Sequence, residues 1–221
     1  MNPVPTNGPI RTNRLDRRKA RTRQALVDAA VQLIAEGRGE RASVQEITEA
    51  ADIGFGSFYN HFASKEQLFE IASEEVLERW AQMIDAACAG LKDPAEVFGV
   101  SLRISGRLAW THPEIAGFIT GAGLELLNAS RGLAPRALRD IRAGQAAGRF
   151  TIPDSEIALS AVAGGLLGFL RLHERHPERV DESTVDDLAE ACLRLLGVRP
   201  AEARRLALRP LPSTELVARS S

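Results

Sequence analysis

The side chains best equipped for chemistry in this sequence are hydrogen-bonding and cationic rather than nucleophilic. Between positions 43 and 66 the chain brings together Ser43, Ser57, Tyr59, Asn60, His61 and Lys65 with the rings of Phe55, Phe58 and Phe62. Polar tips set among aromatic rings suit phosphate oxygens and base edges. Ahead of them stand Arg11, Arg14, Arg17, Arg18, Lys19, Arg21 and Arg23, opposed before position 24 by Asp16 alone. A basic run of this kind fits a local polyanion contact and equally a solvated arm with no partner.

Catalytic chemistry finds little support. His173 and His176 lie three apart around Glu174, a spacing that two metal ligands on a helix would use, but no third ligand is identifiable. Gly54-x-Gly56 lacks a preceding strand and a third glycine at dinucleotide-binding spacing, and no GxxxxGK[ST] phosphate loop occurs. Cys88 and Cys192 are far apart, so neither a thiolate metal site nor a disulfide framework is expected. We therefore expect no catalytic residues, no metal and no cofactor. A helical ligand-binding enzyme is the rival reading, and turnover of a bound compound would separate the two.

The elements that must position these residues read as helices. Leu26, Ala30, Leu33 and Ile34 fall at i, i+4, i+7 and i+8 and form one apolar stripe, ended by Gly37 and Gly39. Ser43 with Glu46 has the spacing of a capping box, and Val44, Ile47 and Ala51 face inward behind it. That short helix stops at Asp52-Ile53-Gly54. A second short helix is predicted from about Phe55 to Phe62. Ser64 with Gln67 then opens a long helix that Gly90 and Pro94 end. Two short helices joined by a tight glycine-containing turn, directly after an amphipathic helix, have the layout of a helix-turn-helix. Further helices are predicted near 94–111, 114–128, 133–147, 154–175 and 184–197, and Phe150-Thr151-Ile152 is too short to build a sheet. The fold class is all-α.

The stretch from Ser43 to Glu66, ending Phe58-Tyr59-Asn60-His61-Phe62 and then Ser64-Lys65-Glu66, resembles the signature of the TetR family of bacterial repressors. The close likeness covers residues 18–70; beyond it the helix pattern and phrases such as Gly148-Arg149-Phe150 before Pro153-Asp154 are similar. The resemblance implies an N-terminal three-helix helix-turn-helix domain, a C-terminal helical domain for ligand binding and dimerisation, and repression of a palindromic operator. An activator, or a DNA-binding protein of low specificity, is the alternative.

On that resemblance Phe55, Gly56 and Ser57 are the candidates for base contact, with Phe55 able to pack on a thymine methyl. Tyr59, Asn60, His61 and Lys65 match backbone-contacting positions, and Ser43 either touches phosphate or serves only as a cap. Arg17, Arg18, Lys19 and Arg21 would add phosphate or minor-groove contacts. Two departures stand out: Gly54 where the family often has a polar cap, and Phe55 where a polar or basic residue is common.

Helices near 154–175 and 184–197 resemble the family's dimer-forming pair, with Gly164, Gly165, Leu167, Gly168, Leu188, Cys192 and Leu195 at the interface; an ordinary intrachain core is the other reading. Phe98, Leu102, Arg103, Arg107, Trp110, Phe118, Ile119, Leu124, Leu127 and Ile141 are the candidates for a ligand pocket, with Thr120 and Asn128 as further polar groups. For each apolar residue plain core packing is the stronger reading, and for each polar one solvent exposure is at least as strong. A mostly apolar pocket favours a small hydrophobic effector.

Charge divides with this organisation. Residues 1–65 hold ten basic and seven acidic side chains, and residues 66–221 hold eighteen and twenty-two. The expected domains are a disordered arm over 1–15, a helix-turn-helix over 16–64, a ligand-binding and dimerisation domain over 65–198 and a flexible tail over 199–221. The charge-free run Ile157–Leu170 falls short of the ~20 residues that span a bilayer. The start of the chain lacks the apolar run of a signal peptide. A cytoplasmic homodimer, partnered by double-stranded DNA and a small molecule and not by a membrane, is the expectation.

Overall fold

The structure, a computed structural model, describes residues 14–36 and 38–212. Ten α-helices occur among them: α1 (Arg14–Ala35), α2 (Val44–Ala50), α3 (Lys65–Cys88), α4 (Pro94–Gly106), α5 (Leu108–Thr111), α6 (Pro113–Ala122), α7 (Leu133–Ala146), α8 (Ser155–Arg175), α9 (Glu182–Leu195) and α10 (Pro200–Ala207). Short 3-10 turns cover Gly39–Arg41, Phe55–Asn60, Gly123–Asn128 and Pro177–Arg179. No strand occurs among the described residues. The described residues form two compact units that divide between Ala72 and Ser73, and α3 is one unbroken helix that begins in the first and ends in the second.

In the first unit the predicted stripe of α1 is buried: Leu26, Ala30, Leu33 and Ile34 join Ile47, Phe58, Phe62 and Leu68 in a small core. The capping box is present. Ser43 Oγ accepts from the Glu46 N–H at 3.2 Å, and Glu46 accepts from the Ser43 N–H at 2.8 Å. Those backbone and hydroxyl hydrogen bonds from Ser43 hold the Glu46 carboxyl below its ordinary pKa. The turn is made differently from expectation. Its left-handed residue is Asp52, with φ of 53°, whereas Gly54 is extended with φ of −63°. Aspartate tolerates the left-handed region through its short polar side chain. The following segment winds as a 3-10 turn rather than an α-helix, with Ser57 N–H donating to Gly54 O at 2.8 Å.

The second unit is a helical bundle with two apolar clusters. One gathers Phe98, Leu102, Ile141, Phe150, Leu159 and Leu193. The other gathers Leu77, Trp80, Ile104, Leu108, Ile119 and Phe169. Close approach of Phe150 to α7 requires Gly144, where an added Cβ would stand 2.1 Å from Phe150 Cδ2. The predicted helix 94–111 breaks at Arg107 into α4 and α5, and 114–128 breaks at Gly123, whose φ is 62°.

The expected flexible tail is a correction. Pro200 occupies the first turn of α10, and Ala203, Leu206 and Ala207 are buried. Arg149 clamps that helix to the bundle, donating to both carboxylate oxygens of Asp93 at 2.9 Å and to Glu202 at 2.5 Å. Arg209 pairs with Glu96. The expected arm over 1–15 lies outside the described residues except for Arg14 and Leu15, which already belong to α1, and residues 213–221 lie outside them entirely.

Candidate nucleic-acid interface and ligand cavity

The helix-turn-helix residues collect on the first unit. Phe55, Gly56, Tyr59 and Asn60 are exposed, Ser57 is half-buried, and the turn that carries them is anchored by the fully buried ring of Phe58. Phe55 and Tyr59 are 54% and 58% exposed and stand beside each other, so the turn presents an aromatic surface to solvent. Arg17, Arg18, Lys19 and Arg21 are exposed along α1. The Ser43 hydroxyl both accepts from the Glu46 N–H and donates to its carboxylate at 2.9 Å, so capping occupies it.

Arg23, part of the basic run but not among the residues given a DNA-contact role from the sequence, has a defined place here. Arg23 stacks its guanidinium 4.9 Å from the Phe62 ring centroid, a cation–π contact. Its charge is felt by His61, whose pKa is lowered by burial first and then by repulsion from Lys19 and Arg23. His61 Nδ1 is buried with no hydrogen-bond partner among the described residues. Lys19 and Arg23 thus place positive charge beside His61, the electrostatics a phosphate group requires, and the same charge disfavours the protonated imidazole.

The second unit contains a cavity of about 120 Å³. Of the predicted pocket residues, Phe98, Leu102, Ile119, Leu124 and Leu127 line it, and so does Leu167, placed by the sequence at the dimer interface. Ile141 is fully buried in the core instead. Trp110 packs on Phe169 and His173 at ring-centroid distances of 6.0 and 4.5 Å, and neither it nor Phe118 lines the cavity. Arg103 and Arg107 are also elsewhere. Arg103 donates to Asp186 at 2.7 Å and to the Arg209 carbonyl at 2.6 Å, and Arg107 reaches Asp186 at 3.1 Å and Glu182 at 3.3 Å. These two arginines tie α4 to α9 and to the residues after α10. The Thr120 hydroxyl is turned back onto the Gly117 carbonyl.

The polar groups that do line the cavity are Asp85 on α3, Ser101 and Ser105 on α4, and Arg136 and Asp140 on α7. Asp85, Arg136 and Asp140 belong to a chain of ion pairs, whereas the Ser105 hydroxyl donates to the Ser101 carbonyl at 2.8 Å. Arg136 donates to Asp85 at 2.7 Å and through both Nη atoms to Glu78 at 2.9 Å. Arg139 donates to Asp85 and to Asp140 Oδ1, each at 2.8 Å. Glu78 also accepts from the Gly132 N–H at 2.8 Å. Hydrogen bonds from Arg136 lead the effects that hold the Glu78 carboxyl at about 2. Burial raises the Asp140 carboxyl, and Arg139 only partly offsets this. No other donor among the described residues reaches Asp140 Oδ2. Two carboxylates, Asp85 and Asp140, against the one guanidinium of Arg136 leave the lining one negative charge in excess, which disfavours an anion and accommodates a hydroxyl donor.

Of the dimer candidates, Gly165 faces Leu188 and Cys192 within the same chain, at 3.5 and 3.7 Å from the position of an added Cβ. Leu188 and Cys192 join the first apolar cluster. Gly164 and Gly168 are exposed with open space above them, and Leu195 is 45% exposed.

A helix-turn-helix unit with an exposed aromatic and basic face, followed by a helical bundle around a small cavity, defines a ligand-binding DNA-binding regulator. Residues 26–72 match the family model for "Bacterial regulatory proteins, tetR family", and residues 93–209 match "Tetracyclin repressor-like, C-terminal domain". The structure of RolR in complex with resorcinol is similar with a TM-score of 0.76 and 36% identity, covering 90% of this chain and 98% of that one. RolR without ligand gives 0.74 and 37%, over 86% and 99%. A putative regulator from Shewanella sp. PV-4 shares the fold at a TM-score of 0.57 and 22% identity, over 80% and 99%. Over 44 residues the chain is 51% identical to the HTH-type transcriptional repressor DhaR of Mycobacterium sp. (strain GP1), a match covering 20% of this chain and 22% of that relative, so it spans about a fifth of DhaR's length. The chain belongs to the TetR family of transcriptional regulators, which are DNA-binding proteins and not enzymes.

Proposed function

We propose that this protein is a repressor that binds a palindromic operator as a homodimer and is released by a small, mainly apolar effector bearing hydroxyl groups. The observation that carries the effector half is the cavity wall: apolar side chains on most sides, with Asp85, Arg136 and Asp140 converging on one. Such a wall takes a neutral ring with hydroxyls, and RolR in complex with resorcinol supports that class. Asp85 belongs to α3, the helix that starts at Lys65 in the DNA-reading unit, so a ligand that re-sorts the ion pairs of Asp85 acts on that helix directly. The effector releases DNA only through its different affinity for the two states of the protein.

Dimerisation is assigned to the exposed faces of α8 and α9. Ile157 is 64% and Leu195 45% exposed, and Gly164 and Gly168 open a shallow apolar surface between them in sequence. Among the described residues α8 is the one helix long and apolar enough to cross a membrane. We assign its second apolar face to another copy of this chain, because two reading heads about one DNA turn apart (~34 Å) require two protomers.

Calorimetry tests the effector class. Resorcinol is expected to bind the wild type, and benzoate, a similar ring carrying a carboxylate, is expected not to. Asp140→Asn should weaken resorcinol by about 10-fold or more, the usual worth of a hydrogen bond to a charged group. Equal binding of benzoate and resorcinol would overturn the assignment.

A further inference from the structure

The reading edge of the helix-turn-helix contains almost nothing that hydrogen-bonds to a base. Gly54, Phe55 and Gly56 bring no polar side chain, and Ser57 is half-buried. Direct readout in the major groove ordinarily uses Arg, Lys, Asn or Gln forks on the base edges. What this segment presents instead is a supported aromatic ridge. The Phe55 and Tyr59 rings stand edge to face, 6.2 Å between centroids at 73°. Tyr59 in turn leans on Phe58 at 5.2 Å and 79°, and Phe58 is fully buried. Gly54 and Gly56 flank the ring without side chains of their own, and Phe55 is 54% exposed.

We propose that this regulator reads its operator through pyrimidine C5-methyl groups, with Phe55 as the contacting ring and Tyr59 as the positioning residue that holds it. The proposal rests on the operator-binding reading above. An apolar ring distinguishes the bases only by the apolar feature that the major groove offers, the methyl of thymine. Exposed Arg17, Arg18, Lys19 and Arg21 in the same unit supply attraction to phosphate that is independent of sequence. Affinity then comes from charge and preference from methyl contact. 5-Methylcytosine carries the same methyl, so it substitutes for thymine at the contacted position, whereas deoxyuridine does not. Occupancy of the operator therefore responds to cytosine methylation.

The test uses the full chain and two random duplex pools, one containing thymidine and one deoxyuridine, followed by anisotropy titrations on the enriched duplex with single replacements. One thymine per half-site should be sensitive. Its replacement by deoxyuridine should weaken binding roughly fourfold, the factor for losing one buried methyl-sized group, and roughly fifteenfold when both half-sites are changed. A cytosine at that position should bind as poorly as deoxyuridine, and 5-methylcytosine should restore affinity. In Phe55→Ala the difference between thymine and deoxyuridine should vanish. Tyr59→Phe should keep it, because the ring remains, and Tyr59→Ala should shrink it. Wild-type tolerance of deoxyuridine at every position overturns the proposal, and so does a deoxyuridine penalty that persists in Phe55→Ala. Retained DNA without any shared motif in either pool would overturn the operator reading itself, and this proposal with it.

Discussion

Replacing Glu78 by Gln isolates the ion cluster that joins α3 to α7. Glu78 accepts from both Nη atoms of Arg136 at 2.9 Å and from the Gly132 N–H at 2.8 Å, and its side chain is 11% exposed. Its carboxyl is held at about 2, against an ordinary value of 4.5. A folded-state pKa below the unfolded one contributes stability that is complete above about pH 4.5 and is lost as pH falls through 2. At about 1.36 kcal/mol for each unit, the full contribution is about 3 kcal/mol. The relation leaves about 1.4 kcal/mol of it at pH 3. Glutamine keeps the shape and removes the charge, so the wild type should exceed Glu78→Gln by about 2–3 kcal/mol at pH 7, since some solvent reaches the cluster. For a chain of this size that is a fall in Tm of about 4–12 °C. Urea unfolding of both proteins at pH 7, 5, 4 and 3 is the assay. The gap should be constant from pH 7 to 5, narrow by pH 4 and fall to half or less by pH 3. A gap that does not change with pH would refute the linkage, and no gap at pH 7 would refute the assigned strength of the Glu78–Arg136 pair.

Three further outcomes are expected. Ser43→Ala removes the cap of α2 and should cost about 1 kcal/mol of stability in the DNA-reading unit, seen as faster amide exchange in α2. Gly144→Ala forces a Cβ into Phe150 and should destabilise by about 1–3 kcal/mol, and Phe150→Leu in the same chain should recover part of that in chemical denaturation. Ile157→Arg on the exposed face of α8 should shift the protein to monomer in sedimentation velocity while the far-ultraviolet helical signal is kept; a dimer that survives would move the interface elsewhere.

Contacts three or four residues apart were legible in the sequence. The Ser43–Glu46 box, the stripe of α1 and the proline and glycine boundaries of α4, α7 and α8 are local patterns, and the structure has them. Features set by distant partners were not legible. Arg103 and Arg107 looked like pocket residues, yet they pair with Asp186 and Glu182, about eighty positions away. The polar wall joins Asp85 to Arg136 across 51 positions, and nothing local marks either as facing a cavity. Gly165 sits among small residues that read as one interface stripe, but a helix has several faces and this one meets α9 of its own chain. Helix α10 could have been found: Ala203, Leu206 and Ala207 keep helical spacing, and Pro200 suits a first turn. The prolines around it outweighed that short pattern.

In the proposed function one molecule in the cavity governs DNA binding. The most direct test is to titrate resorcinol into the full-length protein bound to a selected, fluorescently labelled duplex, with calorimetry of the DNA-free protein alongside. Fluorescence anisotropy should fall to the free-duplex value over the concentration range in which the cavity fills, shifted upward by the DNA-binding energy that the ligand must overcome. Asp140→Asn should bind the same duplex normally and need about 10-fold or more resorcinol to release it. A complex that keeps its anisotropy while calorimetry shows the cavity saturated would contradict the account.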